Sequence, residues 1–169
     1  MIQTQPKHLR ILGIAPTTRG IGFAVLEGED SLVDYGCKSA KGDKNAQSVA
    51  IVKKLILQYR PDVIVSQNTL IKGSHRVERI QELTGQIITM AKAHQIKVSL
   101  ISFKQVKQTY FDHGLGTKHE IVEILAKRFP ELADRLPPKR RPWTSEDSRT
   151  SIFDAVALIF AHKVSVVVI

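Results

Sequence analysis

Three apolar segments open the chain with only short turn-like stretches between them, and this spacing constrains the fold more than any other feature. The segments cover residues 10–15, 21–27 and 31–39. Between them, residues 16–20 and 28–30 are rich in Pro, Gly, Thr and Asp, which favour turns. Apolar runs at such close intervals are typical of consecutive strands. The sequence therefore predicts three antiparallel strands in succession.

The remainder of the chain alternates between helical and strand patterns. Apolar residues three and four apart predict helices, and short continuous apolar runs predict buried strands of a parallel sheet. The predicted elements are, in order, a helix ending near residue 59, a strand at 62–66, a helix beginning near 74, a strand at 96–101, helices at 103–110 and 118–129, and a last helix from about 145 to 162 with an apolar tail at 164–169. This order predicts one α/β domain over residues 1–169, a mixed five-stranded sheet with helices on both faces. It is the layout of the RNase H-like fold.

The chain is basic, which narrows the choice of partners. It holds 25 lysine and arginine residues against 16 aspartate and glutamate residues, a net charge of +9. Such an excess favours a polyanion, nucleic acid first and an anionic membrane second, with a generally basic protein as the alternative. The cations also cluster, because Lys139, Arg140 and Arg141 follow a proline pair, and Lys104 and Lys107 lie three apart. This clustering favours nucleic acid.

Other classes of protein are disfavoured. No apolar run reaches the ~20 residues that a membrane span requires, and the first residues lack the layout of a signal peptide. The single cysteine, Cys37, cannot form an internal disulfide, and no Cys/His cluster has zinc spacing. We therefore expect a cytosolic protein with no membrane partner.

Segments spread along the chain resemble the RuvC family of Holliday-junction resolvases. They are residues 11–16, where the family carries Gly-Ile-Asp-Pro-Gly, the glycine-rich strand 20–25, the strand 63–67, which matches a family strand ending in Glu-Gln, residues 104–109 with Gly114, Gly116 and Lys118, and the helix 151–157, similar to the family's Asp-x-x-Asp-Ala. The segments keep the family's order over nearly the whole chain. The resemblance implies a homodimer on two-fold symmetric junctions and a site with two Mg2+ ions held by about four carboxylates.

Most of the carboxylate positions implied by this resemblance carry other residues. The first aspartate falls on Ala15, the glutamate on Ser66, and the first aspartate of the helical pair on Ser151. Asp154 remains. Alanine coordinates nothing, and serine hydroxyls are weak ligands for hard cations. We therefore expect a degenerate catalytic site, at most weak metal binding by Asp154, and no cofactor, with Mg2+ bound only if the site is active.

Asp147 is the candidate for a replacement carboxylate, seven residues before Asp154. On one continuous helix the two would lie about 10 Å apart, too far to share an ion. Thr144 followed three residues later by Asp147 also fits a helix-capping pattern, which we favour over metal binding. Asp154 lies among apolar residues and is expected to be partly buried and held by hydrogen-bond donors.

One basic surface is predicted to face phosphates. Thr117 and Glu120 fit a capping box, and Lys118 falls in the first turn of the helix, whose free amides suit a phosphate; an ordinary capped helix with a solvated lysine is the alternative. In the family, the segment that matches Lys104 and Lys107 lies near the DNA-facing cleft. The predicted nucleic-acid-binding residues are Lys104, Lys107, Lys118, Lys139, Arg140 and Arg141. Trp143, beside the basic triplet, either stacks on a base or anchors its loop to the core.

These observations favour a resolvase-like protein that binds branched or otherwise structured DNA without cutting it. Two alternatives stay open. An active, metal-dependent Holliday-junction endonuclease would need a non-standard carboxylate set. A structural or regulatory module would use the basic face for protein or RNA.

Overall fold

A computed structural model describes residues 8–69, 78–111, 116–137 and 147–167 of the chain. Its elements in chain order are β1 (Arg10–Pro16), β2 (Gly20–Glu27), β3 (Ser31–Ser39), α1 (Lys44–Tyr59), β4 (Val63–Gln67), α2 (Glu78–Ala93), β5 (Lys97–Ile101), α3 (Phe103–Tyr110), α4 (Lys118–Arg128), a short 3-10 helix (Pro130–Arg135) and α5 (Thr150–Val167). The strands form one five-stranded sheet in the order β3-β2-β1-β4-β5. The predicted α/β fold with a mixed sheet is confirmed.

The first three strands form the antiparallel half of the sheet. β1 pairs with β2 from Arg10 opposite Glu27 to Pro16 opposite Ile21, and β2 pairs with β3 beyond it. The turn between β2 and β3 contains Gly28, whose φ of 67° lies in the left-handed region that glycine adopts without steric cost. These turns join neighbouring strands directly, as the short spacing of the apolar segments predicts.

The other half of the sheet is parallel. β1 pairs with β4, with Ile11 opposite Val63 and Ile14 opposite Ser66, and β4 pairs in turn with β5. β1 is therefore the central strand of the sheet. Since β1 and β4 run in the same direction, their carboxyl ends meet at one edge of the sheet, where α5 also begins its contact with the strands.

Helices cover both faces of the sheet, and the strand residues alternate between two cores. Along β1, Ile11 and Ala15 belong to the core that α3, α4 and α5 cover, whereas Leu12 and Ile14 belong to the core under α1 and α2. α5 carries the most apolar surface of the first core, and its residues 155–161 are all buried. This double burial explains why the central strands are apolar on both sides.

Two glycines allow α5 to lie directly on the sheet. A Cβ added at Gly13 would lie 2.5 Å from the carbonyl oxygen of Ala155, and one added at Gly22 would lie 2.3 Å from Oγ of Ser151. Both distances are far shorter than van der Waals contact. The close approach therefore depends on glycine at these two positions, and it sets the depth at which the residues of α5 meet the ends of the strands.

The prediction for the last helix was wrong at both ends. α5 begins at Thr150 and continues to Val167, so the segment that the sequence suggested as a tail is helical through Val167. Asp147 lies before the helix and binds Arg149, with Oδ1 accepting from the backbone N–H and Nε, and Oδ2 accepting from Nη2. Asp147 therefore stabilises the turn that leads into α5 and does not cap the helix from its third position. Thr144, the predicted N-cap, lies outside the described residues.

The remaining elements agree with the prediction to within a few residues. The 3-10 helix replaces part of the predicted loop after residue 129, with Pro130 at its first turn, where a missing N–H carries no penalty. The predicted start of α2 near residue 74 lies outside the described residues, and the described helix begins at Glu78. None of the helices in the described parts of the chain is long and apolar enough to span a membrane.

Candidate functional site

A cavity of about 270 Å³ lies where the carboxyl ends of β1 and β4 meet the three helices of the first core. Its walls are Ala15 and Gln67 from the strands, Phe103 and Val106 from α3, Lys118, Ile121 and Val122 from α4, and Phe153, Asp154, Ala157 and Leu158 from α5. The lining is mainly apolar, with one cation, one carboxylate and one amide among the described residues. Several separate elements therefore converge on the point where the sequence predicts a degenerate catalytic site.

Asp154 and Lys118 face each other across this cavity. The Lys118 Nζ atom lies 3.1 Å from Oδ2 of Asp154, and the two side chains are 26% and 36% exposed for the aspartate and the lysine. Thr117 is the N-cap of α4, since its hydroxyl accepts a hydrogen bond from the Glu120 N–H, so Lys118 is the first residue of the helix. The Glu120 carboxylate meets the Thr117 hydroxyl, which closes the predicted pairing through the side chains. This cap fixes the position from which Lys118 reaches Asp154.

Ala15 and Ser151 lie beside this pair but bring no charge to it. Ala15 is buried at the wall of the cavity and pairs with Gly22 across the sheet. Ser151 lies one helical turn before Asp154, and its hydroxyl donates to the Ser148 carbonyl at 2.7 Å. Its side chain packs against the backbone of Gly22, which leaves room for it. Both side chains are therefore close to Asp154 along their elements.

Ser66 lies at the same edge of the sheet but takes a different direction. Its hydroxyl donates to the Ile14 carbonyl at 2.9 Å, and Ser66 is opposite Ile14, whose side chain belongs to the core under α1 and α2. The next residue, Gln67, lines the cavity. Sequence reasoning singled out Ser66 and missed Gln67. The alternation of Val63, Ile64 and Val65 between the two cores is the signal that points to it.

The residues at this point do not suit a pair of divalent cations. Magnesium prefers several oxygen ligands, including one or two carboxylates. Here Asp154 is the carboxylate that lines the cavity among the described residues, and the ammonium of Lys118 already lies against it. In the part of the chain that the structure describes, no three His, Cys, Asp or Glu side chains are grouped so as to hold a metal ion. A divalent ion would meet a positive charge and an apolar wall.

Two further lysines predicted to face phosphates lie on α3. Lys104 is exposed, and the Lys107 ammonium lies 5.1 Å from the centre of the Phe103 ring, close enough for a cation–π contact. Ser102 caps this helix through a complete capping box with Gln105, a feature that sequence reasoning missed. The predicted residues Lys139, Arg140 and Arg141, and Trp143 beside them, lie outside the described residues.

No protein-family model matches the chain. Among curated relatives, the crossover junction endodeoxyribonuclease RuvC of Dictyoglomus turgidum is 29% identical over 133 residues, which cover 73% of this chain and 84% of that protein. Among solved structures, Thermus thermophilus RuvC gives a TM-score of 0.68 at 18% identity, over 92% of this chain and 93% of that chain. The same protein in complex with a Holliday junction substrate gives a TM-score of 0.65 at 17% identity, with the same coverage.

These similarities agree with the order of motifs in the sequence and with the observed sheet. The relatives match along most of their own length, and the solved structures share the arrangement of the whole chain. Sequence and fold together identify the chain as a RuvC-like protein with an RNase H-like domain, similar to the resolvases of the RuvC family.

Proposed function

We propose that this protein binds branched DNA through a RuvC-like cleft and does not cut it. The observation that carries the proposal is the ion pair between Lys118 and Asp154, 3.1 Å apart, at the point where the strand ends and α5 converge. In a two-metal nuclease, cations at such a point activate water and stabilise the leaving oxygen. Here a lysine of the chain itself supplies the positive charge.

The residues around the pair support the absence of cleavage. Ala15 is apolar, and the hydroxyls of Ser66 and Ser151 are used in hydrogen bonds to backbone carbonyls. None of these side chains offers a negative charge to a metal ion. One carboxylate does not hold two divalent ions near neutral pH, because hard cations need several anionic oxygen ligands.

The binding half of the proposal is supported by charge and by similarity. The net charge of +9 favours a polyanion, and Lys118 lies at the N-terminus of α4, where backbone amides and the helix dipole also attract phosphate. Lys104 and Lys107 on the neighbouring helix α3 extend the basic surface, and residues 139–141 are expected to add to it. A solved RuvC with the same fold is in complex with a Holliday junction substrate. A junction has two-fold symmetry, so we expect a homodimer, in the cytosol.

Cleavage and binding of one labelled four-way junction test the two halves separately. In Mg2+ or Mn2+ we expect no product, while a titration detects tight binding that weakens steeply with salt. The Asp154→Asn variant is the control for the site. Cleavage that disappears in this variant would establish the endonuclease alternative at the same site. Equal and weak binding to junction, duplex and single strand would instead favour a role in protein or RNA contacts.

A further inference from the structure

The cavity beside Lys118 and Asp154 is shaped unlike a pocket for hydrated ions. Its volume of about 270 Å³ is near the lower end of the range for small organic ligands, about 300–1,000 Å³. Most of its walls come from buried apolar side chains of α4 and α5, among them Val122 and Phe153. Such walls favour a flat apolar ring and disfavour a solvated ion. The place of the metal site has become a small organic pocket.

The polar groups of the cavity come from three different elements. Lys118 begins α4 and Asp154 follows on α5, with Gln67 at the end of β4. A carboxylate has lone pairs for more than one donor, so Asp154 accepts from a ligand amino group while keeping Lys118. The amide of Gln67 carries both a donor and an acceptor. A ring with amino and carbonyl substituents therefore matches this lining.

Phe103 completes the cavity. Its side chain lines the cavity although the residue is 45% exposed, so part of the ring is open to a ligand. The Lys107 ammonium lies 5.1 Å from the centre of this ring. Aromatic rings beside cations are the elements with which proteins stack unpaired bases and hold the adjoining backbone.

We propose that this cavity receives one unpaired nucleobase extruded at the branch point of the bound DNA. The base edge meets Asp154 and Gln67, the ring lies against Phe103 and the apolar walls, and Lys118 contacts the adjoining phosphate. The inference rests on the proposed binding of branched DNA and names the part of the DNA that enters the cleft. Adenine, cytosine and guanine carry amino donors for the carboxylate.

The test compares two junctions that differ by one base. Both carry one unpaired nucleotide at the branch point, which is adenine in the first and an abasic tetrahydrofuran residue in the second. For the unmodified protein we expect the abasic junction to bind about 5- to 150-fold more weakly, the range for stacking of one base on an aromatic side chain. An equal affinity for the two junctions would overturn the inference.

Phe103→Ala and Ile124→Ala are the matched variants. Both residues are exposed to a similar extent, 45% and 41%, so both variants should fold, but Ile124 does not line the cavity. We expect the abasic penalty to disappear in Phe103→Ala and to persist in Ile124→Ala. Release of Lys107 in Phe103→Ala affects both junctions alike and cancels in the ratio. A penalty that persists in Phe103→Ala would place the base elsewhere and overturn the inference.

Two measurements separate this inference from other outcomes. Titration with adenosine monophosphate distinguishes a free nucleotide from a base of DNA: millimolar binding together with equal affinity for the two junctions would overturn the extruded base in favour of the free nucleotide. Failure of the proposed function has a different signature, since the protein would then bind neither junction. Tight binding of both junctions with no abasic penalty leaves the proposed function intact and removes only the base.

Discussion

The ammonium of Lys118 lies 3.1 Å from the carboxylate of Asp154 and joins the first residue of α4 to the second turn of α5. The neighbours of Asp154 on α5, Phe153 and Ala155, are buried. A carboxylate in such surroundings costs free energy if it has no partner. The lysine therefore compensates a charge that metal ions compensate in a two-metal nuclease, and it ties two helices of the first core together.

A double-mutant cycle on Lys118→Met and Asp154→Asn should measure this pair as a coupling of about 1 kcal/mol in urea unfolding, at the upper end of the values for exposed pairs because both side chains are partly buried. The control is the pair of Arg128 and Asp30, 2.8 Å apart, whose side chains are 50% and 67% exposed. Its coupling should be only a few tenths of a kcal/mol. Couplings of equal size would contradict a special role for the partly buried pair.

Gly22→Ala should destabilise the protein by about 2 kcal/mol or more, because the added Cβ would lie 2.3 Å from Oγ of Ser151 and 2.4 Å from its carbonyl carbon. Part of that clash is with the backbone, so shortening Ser151 to glycine should restore only a fraction of the stability. Gly85→Ala on α2 is the control. Nothing lies within 4 Å of a Cβ at that position, so this variant should gain about 0.5–1 kcal/mol from helix propensity. Equal effects at the two glycines would mean that α5 does not rest on β2.

Stability should fall in acid partly through the turn before α5. The guanidinium of Arg149 lowers the pKa of Asp147 from its ordinary 3.8 to about 2. A carboxylate with a lowered pKa in the folded state contributes stability above its unfolded pKa and loses it as the pH falls through about 4 to 2. Asp147→Asn should therefore be less stable than the unmodified protein at pH 6, by about 1 kcal/mol at most because the group is partly exposed, and equally stable near pH 2. Thermal unfolding across this range checks it, and Arg149→Gln should give the same profile.

The strands were predictable because their determinants are local. The apolar runs and the turn residues at 16–20 and 28–30 lie next to one another in sequence, and β1, β2 and β3 follow them to within a residue. The helices α3 and α4 were predictable for the same reason, since each has its capping residues immediately before it. The order of elements then restricts the sheet to few topologies, so the fold followed from the sequence.

The site was less predictable because it depends on contacts between distant elements. The contact of Lys118 with Asp154 requires the packing of α4 against α5, which no local pattern encodes. The choice between Ser66 and Gln67 depends on the register of β4 against β1. The start of α5 was misplaced because Asp147 binds Arg149 in a turn, whereas its spacing from Thr144 fits a cap equally well.

Charge removal on one face should change the salt dependence of junction binding, and removal on the other face should not. The triple variant Lys104→Ala, Lys107→Ala and Lys118→Ala should lower the slope of log affinity against log salt by about 0.9 for each phosphate that no longer meets a cation of the protein. Lys53→Ala with Lys54→Ala is the control, because both residues are exposed on α1, which packs on the opposite face of the sheet. An unchanged slope in the triple variant would place the DNA on another surface.

Restoring the carboxylates that the family resemblance implies tests whether these positions still converge. In Ala15→Asp, Ser66→Glu and Ser151→Asp combined, three added negative charges join Asp154, and Gly22 leaves room for a side chain at position 151. Without metal the variant should melt below the unmodified protein, because like charges repel at short range. With a dissociation constant of about 1 mM, about 10 mM Mg2+ should return about 1.4 kcal/mol, or about 3–6 °C.

Thermal unfolding with and without Mg2+ is a cleaner measurement than cleavage for this variant, because the groups that orient the ligands need not have survived with the fold. The unmodified protein is one control and should not respond to Mg2+ by more than the effect of its ionic strength. The other control adds Asp154→Asn to the triple variant and should lose part of the Mg2+ response, since one ligand is removed. Adding Lys118→Gln instead should enlarge the response, because the ammonium 3.1 Å from Asp154 competes with the ion. If the triple variant melts at one temperature in both conditions, Ser66 in particular is directed away from the cavity, as its hydrogen bond to the Ile14 carbonyl suggests.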